Sequence, residues 1–359
     1  MQRVAIIGLG LIGGSIGLGL RKWSSEQTKG SGQALEVVGF DLDLDQQNYA
    51  KKINAVDKVE WELGKAVRDA DIVVVAAPVV AIKETFSNIA PMLKAGAIVT
   101  DVGSTKAQVL EWANELLPRT VHFVGGHPMA GKALSIEGAD ADLFKGATWC
   151  VSPSVHASDE AIRNVLGMIS ALGAESYFVD PVEHDAFVAG VSHLPFVLSA
   201  SLMTALSKDS SWRDMKTLTA GGFRDMTRLA GGSPAMHRDI VMTNRDSIVR
   251  WIDALTGELA TLRGLITATD ENADEQLTAY FEKARDARAD WATQTTREGE
   301  LLQSTDADLS SEGMSGQMSR MLFGGMLKRR GFGDRLGGAK SANRNPRTKA
   351  GDKTANGRD

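Results

Sequence analysis

Val4-Ala5-Ile6-Ile7-Gly8-Leu9-Gly10-Leu11-Ile12-Gly13-Gly14-Ser15 lies almost at the start of the chain. Four small or branched apolar residues in succession suit a strand buried on both faces, as in a parallel sheet. The strand runs straight into Gly-x-Gly-x-x-Gly, formed by Gly8, Gly10 and Gly13. In such a turn the first glycine permits the tight bend, the second lets backbone approach a pyrophosphate, and the third lets helix and strand pack closely. Ile12, Ile16 and Leu20 then recur at helical spacing, so the turn opens a helix whose N-terminal N–H groups face the phosphates. Glycines also occur in such turns for packing alone, and a second signal is needed. Val37-Val38-Gly39-Phe40-Asp41 provides it, reading as a second strand that ends in a carboxylate. That acid accepts hydrogen bonds from the adenosine ribose hydroxyls and repels a ribose phosphate, which favours NAD over NADP. Its distance from the glycines exceeds the roughly 20 residues usual for the pattern, and the polar segment 24–33 accounts for the excess as a loop insertion.

Strands and helices alternate from there. The segments 46–53 and 66–70 read as short helices, and Asp71-Ile72-Val73-Val74-Val75-Ala76-Ala77-Pro78 as a buried strand stopped by its proline. Ligands of open parallel sheets sit outside the carboxyl ends of the strands, so Ala77 and Pro78 join Gly8, Leu9, Gly10, Leu11, Ile12, Gly13 and Asp41 as expected cofactor contacts. Helices are expected at 80–93, 106–116 and 160–172, and further strands at 97–102, 121–124, 147–152 and 175–179. This alternation implies an α/β domain of the Rossmann type, a doubly wound parallel sheet over residues 1–180.

Composition narrows the remaining possibilities. A chain of 359 residues suggests more than one domain, and a net charge of −5 gives no reason to expect a nucleic-acid partner. One cysteine, Cys150, excludes an internal disulfide framework and a cysteine metal cluster, and its apolar neighbours mark it as core filler. No apolar stretch reads as long enough to span a bilayer and no leader precedes the first strand, so the expectation is a cytoplasmic protein without metal or membrane contact.

Two strand ends carry polar groups suited to chemistry. His127 follows Gly125-Gly126 and precedes Pro128, where its side chain would enter the nicotinamide region of the crevice, and a histidine takes up a proton near neutral pH. Ser104 follows the neighbouring strand end; its hydroxyl would bind a substrate hydroxyl and His127, cap the next helix, or both. Lys106 reads as a solvated or phosphate-facing cation.

Five motifs together resemble the prephenate/arogenate dehydrogenases of tyrosine biosynthesis. They are the glycine turn, Asp101-Val102-Gly103-Ser104-Thr105-Lys106, Gly126-His127-Pro128-Met129-Ala130-Gly131, Ser192-His193-Leu194-Pro195 and Gly222-Phe223-Arg224-Asp225-Met226-Thr227-Arg228. The resemblance implies NAD-dependent oxidative decarboxylation, with His127 and Ser104 catalytic. It also implies that Arg228 binds the ring carboxylate, Asp225 fixes the arginine rotamer, and His193 and His237 lie on the substrate side. A homodimer formed through the helical second domain is a further implication. The chain departs from the family where Lys132-Ala133 replaces a Ser-Glu pair, where Phe196 replaces a second histidine, and where His237 stands in place of a tryptophan. These departures bear on the choice between prephenate and arogenate. Other Rossmann dehydrogenases acting on 3-hydroxy acids or imines, and a nucleotide-sensing protein without turnover, are the competing readings.

The second half is read as helical over 181–300, with helices at 184–206, 216–229, 235–243, 247–267 and 270–299. Arg224 and Arg228, four apart, are expected on one helix face, with Arg224 in an ion pair to Asp225 or Asp239. Residues 301–359, rich in Gly, Ser, Lys, Arg and Asn, are expected to form a disordered basic tail.

Overall fold

A computed structural model describes residues 2–27, 35–132 and 134–309. In chain order the first part comprises β1 (Gln2–Ile7), α1 (Leu11–Gln27), β2 (Leu35–Phe40), α2 (Leu44–Lys52), β3 (Lys58–Val59), α3 (Leu63–Val67), β4 (Ile72–Val75), α4 (Val79–Ile89), β5 (Ile98–Asp101) and α5 (Ala107–Leu116). It continues with β6 (His122–Pro128), β7 (Thr148–Pro153), α6 (Asp159–Ala171) and β8 (Glu175–Phe178). The eight strands form one sheet in the order β3-β2-β1-β4-β5-β6-β7-β8. The order reverses beside β1, so the glycine turn sits at the crevice where open sheets bind ligands.

Alternate residues of the central strands feed two separate cores. Val4, Ile6, Ile72, Val74 and Ile98 pack with α1 and α6 on one face. Ala5, Ile7, Val73, Val75 and Val99 pack with α3, α4 and α5 on the other. A strand buried on both sides needs apolar residues at every position, which is why these segments read as unbroken hydrophobic runs.

The structure departs from the sequence reading in several places. β3 pairs with β2 through Val38↔Lys58 and Gly39↔Val59, a strand too short and polar to register as one. α1 reaches Gln27, into the stretch assigned to a loop; the rest of that loop, residues 28–34, lies outside the described residues. β7 runs antiparallel to β6, because the connection over 129–147 holds a single 3-10 turn at Ile136–Gly138 and no crossover helix among its described residues. Its pairing prolongs β6 to Pro128, so His127 lies within a strand, opposite Cys150.

Beyond the sheet come α7 (Pro181–Val188), α8 (Leu194–Ser207), α9 (Trp212–Met215), α10 (Gly221–Thr227), α11 (Pro234–Thr243), α12 (Arg245–Thr267) and α13 (Ala273–Leu309). A π-helical turn, Ala189–His193, joins α7 to α8. The resulting span Pro181–Ser207 has a mean hydropathy of 1.6 in its apolar stretch and is long enough to cross a membrane, which corrects the expectation that no segment was. Pro195 falls in the first turn of α8, where a proline is tolerated, so it does not break the span. The described residues from Arg285 on belong to a second unit, in which Arg288 lies over the Trp291 ring. α13 runs to Leu309, past residue 300; the remaining tail, 310–359, lies outside the described residues.

Candidate active site

At the end of β1 the backbone at Gly8 has φ +98°, and a Cβ there would stand 2.4 Å from the carbonyl oxygen of Ala76. A Cβ at Gly13 would stand 1.9 Å from the oxygen of Gly8, so only glycine lets α1 sit this close to the turn. Above Gly10 nothing lies within 4 Å. The backbone is therefore tight on the protein side and open where a pyrophosphate would lie. Leu9 is buried, and its N–H donates to Oδ2 of Asp41 at 2.6 Å, while Oδ1 of Asp41 accepts from the N–H of Asp43 at 2.8 Å. One carboxylate thus fixes the turn and retains lone pairs for ribose hydroxyls. Pro78, exposed, stands just before α4, and Ala77 is half-buried beside it. This cradle and carboxylate fit a dinucleotide.

His127 leaves 8% of its surface exposed. Its Nδ1 lies 2.9 Å from Nε2 of His184, and Nδ1 of His184 lies 2.8 Å from Oδ1 of Asp185. The carboxylate only accepts, so His184 carries its hydrogen on Nδ1 and offers a lone pair at Nε2. His127 must then donate from Nδ1, which leaves the lone pair of its Nε2 as the basic site. Burial, and then the nearby His184, Lys106 and His193, hold the His127 pKa well below the usual histidine value. The imidazole is neutral at physiological pH.

Asp185 has a further task. It accepts from the N–H groups of Lys106 at 2.7 Å and Ala107 at 3.0 Å, capping α5 from an element far along the chain. Ser104, the expected cap, makes no side-chain hydrogen bond among the described residues, and its expected contact to His127 is taken by His184. Lys106 is neither solvated nor phosphate-facing: 1% exposed, it forms an ion pair with the fully buried Asp101. Asp101 also accepts from the N–H groups of Gly103 at 2.8 Å and Gly126 at 3.2 Å, which joins the ends of β5 and β6 beneath His127. Asp101 and Lys106 thus make the motif a buried anchor.

From the helical side, His193 is buried at the end of the π turn, with Nδ1 3.3 Å from Nδ2 of Asn244. Burial, outweighing the attraction of Asp185, lowers its pKa to about 4. Phe196 stacks on His237 with ring centres 4.3 Å apart and an interplanar angle of 1°. Partial burial lowers the His237 pKa as well. Arg228 is exposed at the start of a 3-10 turn, Arg228–Gly231, which the N–H of Ala230 ties to α8 through Ser199 at 2.8 Å. Asp225 is exposed and forms no ion pair with Arg228 among the described residues. The α-helix ends at Thr227, and Arg228 follows as its cap, still with right-handed helical backbone angles. Asp239 pairs with Arg238 at 2.6 Å and not with Arg224.

Asp185 and Asn244 were not singled out in the sequence, and His184 was named, with Glu183, only as a polar candidate for a competing Rossmann dehydrogenase. His184 and Asp185 carried one signal, an adjacent His–Asp pair inside an otherwise apolar span, and Asn244 carried none.

The sequence profile of the prephenate dehydrogenase nucleotide-binding domain matches residues 25–178, and that of the prephenate dehydrogenase dimerization domain matches 180–283. The chain belongs to the prephenate dehydrogenase family. A prephenate dehydrogenase of Bacillus subtilis is 32% identical over 291 residues, 79% of this chain and 75% of the relative. A cyclohexadienyl dehydrogenase of Zymomonas mobilis is 30% identical, with 80% and 95% of the two chains covered. Among solved structures, prephenate dehydrogenase of Aquifex aeolicus in complex with hydroxyphenyl propionate and NAD+ superposes with a TM-score of 0.73 at 27% identity, covering 81% of this chain and 98% of that one.

Proposed function

We infer that this family member is an NAD-dependent prephenate dehydrogenase, converting prephenate to 4-hydroxyphenylpyruvate by oxidative decarboxylation. The observation that carries the site assignment is the ordered series Asp185–His184–His127, which leaves one neutral, basic nitrogen at the carboxyl edge of the sheet that bears the glycine turn. NAD, held by the Gly8–Gly13 turn and Asp41, supplies the hydride acceptor. As the hydroxyl-bearing ring carbon becomes a carbonyl, Nε2 of His127 takes the hydroxyl proton. The imidazolium so formed keeps its Nδ1–H on His184, whose other nitrogen is bonded to a carboxylate, so the new charge has a counter-charge two bonds away along the relay. Loss of the ring carboxylate as carbon dioxide restores aromaticity and makes the sequence irreversible. Ser104, in the loop above Asp101, orients the hydroxyl.

Prephenate is a dianion, so a cation must meet it. Arg228 is assigned to its ring carboxylate, since a guanidinium holds a carboxylate through two parallel bonds. Asp225, exposed three residues earlier, is assigned the task of steadying that arginine once the carboxylate is bound. His193 and His237, both held toward the neutral form by burial, are assigned to the substrate side of the site, His193 to the substrate side chain or the nicotinamide pocket, without adding charge. The apolar surface of the helical region fits a homodimer: Val191 is 76% exposed and Leu259 57%. A second copy would cover such residues, and the buried His184, Asp185 and His193 in the apolar span suit a protein interior better than a bilayer. A cytoplasmic location accompanies this reading.

Initial rates of NADH formation from purified protein, with prephenate or arogenate and with NAD or NADP, test it. Turnover of prephenate with NAD is expected. Turnover of arogenate alone would select the arogenate dehydrogenase alternative, and no turnover of either would overturn the assignment.

A further inference from the structure

Asn244 lies at the junction of α11 and α12, buried and remote in sequence from every motif discussed above. Its amide orientation is settled by its partners. Nδ2 lies 2.7 Å from the backbone carbonyl oxygen of Asp185, which can only accept. The second hydrogen of the same nitrogen falls to Nδ1 of His193, at 3.3 Å. Nδ1 must therefore present a lone pair, and the neutral ring carries its hydrogen on Nε2. That Nε2 is buried and has no hydrogen-bond partner among the described residues. Protonation of the ring would set an N–H of His193 against an N–H of Asn244, so the geometry itself favours the neutral form. The ring is also within electrostatic reach of both His127 and His184.

We propose that Asn244 is a positioning residue that holds His193 as an Nε2–H donor to an oxygen acceptor on the bound cofactor or substrate. The chemistry required is a carbonyl or carboxylate oxygen, which the nicotinamide carboxamide and the oxoacid side chain of the substrate both offer. The assignment of those two ligands rests on the dehydrogenase reading; the tautomer does not. Asp185 then sets two imidazoles from one position: its carboxylate orients His184, and its backbone carbonyl orients the amide that orients His193. A π turn is a common way of placing a functional side chain in register, and the one ending at His193 does so here.

Long-range proton–nitrogen NMR of the full chain labelled with [15N]histidine reads the tautomer directly. In the wild type the His193 ring is expected as Nε2–H, and its Nε2 signal is expected to move on saturation with NAD in one arm or 4-hydroxyphenylpyruvate in the other; the arm that moves it names the acceptor. Asn244→Asp replaces the amide donor by a carboxylate, so the ring is expected to switch to Nδ1–H. KM for the ligand identified should then rise about three- to tenfold, the loss of one neutral hydrogen bond, with kcat less affected. An Nδ1–H ring in the wild type overturns the proposal, and so does an Nε2–H signal indifferent to both ligands. If prephenate is not turned over while the tautomer and its response to NAD persist, the dehydrogenase reading fails and the positioning role stands.

Discussion

His127 and His184, 57 residues apart in the chain, meet through their ring nitrogens at 2.9 Å with the rings nearly perpendicular, at 71°. The sheet supplies one and the first helix after it supplies the other. The bond gives His127 a defined tautomer, which a base in a strand could not secure alone. His127→Asn is expected to lower kcat by about 10²–10⁴-fold, the range for a general base, while leaving NAD affinity intact in equilibrium titration. The acid limb of kcat/KM in the wild type should lie below the ordinary histidine value near 6.5, since burial keeps the ring neutral to lower pH. Unchanged turnover in the variant would remove His127 from the chemistry.

Asp185→Asn tests whether one carboxylate does both of its tasks. It replaces an acceptor of three N–H groups by an amide with a single acceptor oxygen. A loss of about 1–3 kcal/mol in urea unfolding is expected, with turnover reduced on the order of tenfold or more as His184 loses its orientation. A variant that loses stability and keeps full turnover would separate the cap from the relay.

Two buried histidines contribute to the acid sensitivity of the fold. Both His127 and His193 have folded pKa values below their unfolded value near 6.5, His193 at about 4. Above pH 6.5 neither state binds the proton and their contribution is complete. Between 6.5 and about 4 the unfolded chain takes up protons that the folded chain refuses, so stability falls with falling pH, by up to about 1.4 kcal/mol per pH unit for each histidine. Urea midpoints measured at pH 7 and pH 5 should differ in that direction, and less so in His193→Gln. Equal midpoints would show that neither ring is held neutral.

Asp41→Ser should relax the rejection of NADP by removing a negative charge from the ribose position, with kcat/KM for NADP rising relative to NAD. Because Asp41 also receives the N–H of Leu9, NAD affinity should fall at the same time. A variant that still excludes NADP would assign the selectivity to another residue.

Arg228→Ala should raise KM for the substrate and spare kcat, as expected for a group that binds the carboxylate equally before and during reaction. Steady-state kinetics with NAD saturating reads the split. A fall in kcat at unchanged KM would place the guanidinium on the reacting carbon instead.

Much of the fold could be read from residues 4–15 and 71–78, because a strand buried on both faces leaves no choice but consecutive apolar side chains. The glycine turn and Asp41 were legible for the same kind of reason: a missing Cβ and a carboxylate at a strand end are demands of local geometry. β3 was not, since two residues held mainly by backbone pairing leave no side-chain pattern. Nor was the direction of β7, which depends on how its connection crosses the sheet.

The sequence by itself determined the two-sided sheet and the glycine turn, both set by residues acting within a few positions of one another, and it singled out His127 as the histidine proposed to act as base. Only the tertiary structure decided what that histidine leans on, that Lys106 is sealed against Asp101, and that Asp185 and Asn244 settle the hydrogens of two imidazoles. The physical reason is that the position of a proton is fixed by the partner of the nitrogen that bears it. Those partners arrive from helices whose packing no local pattern specifies.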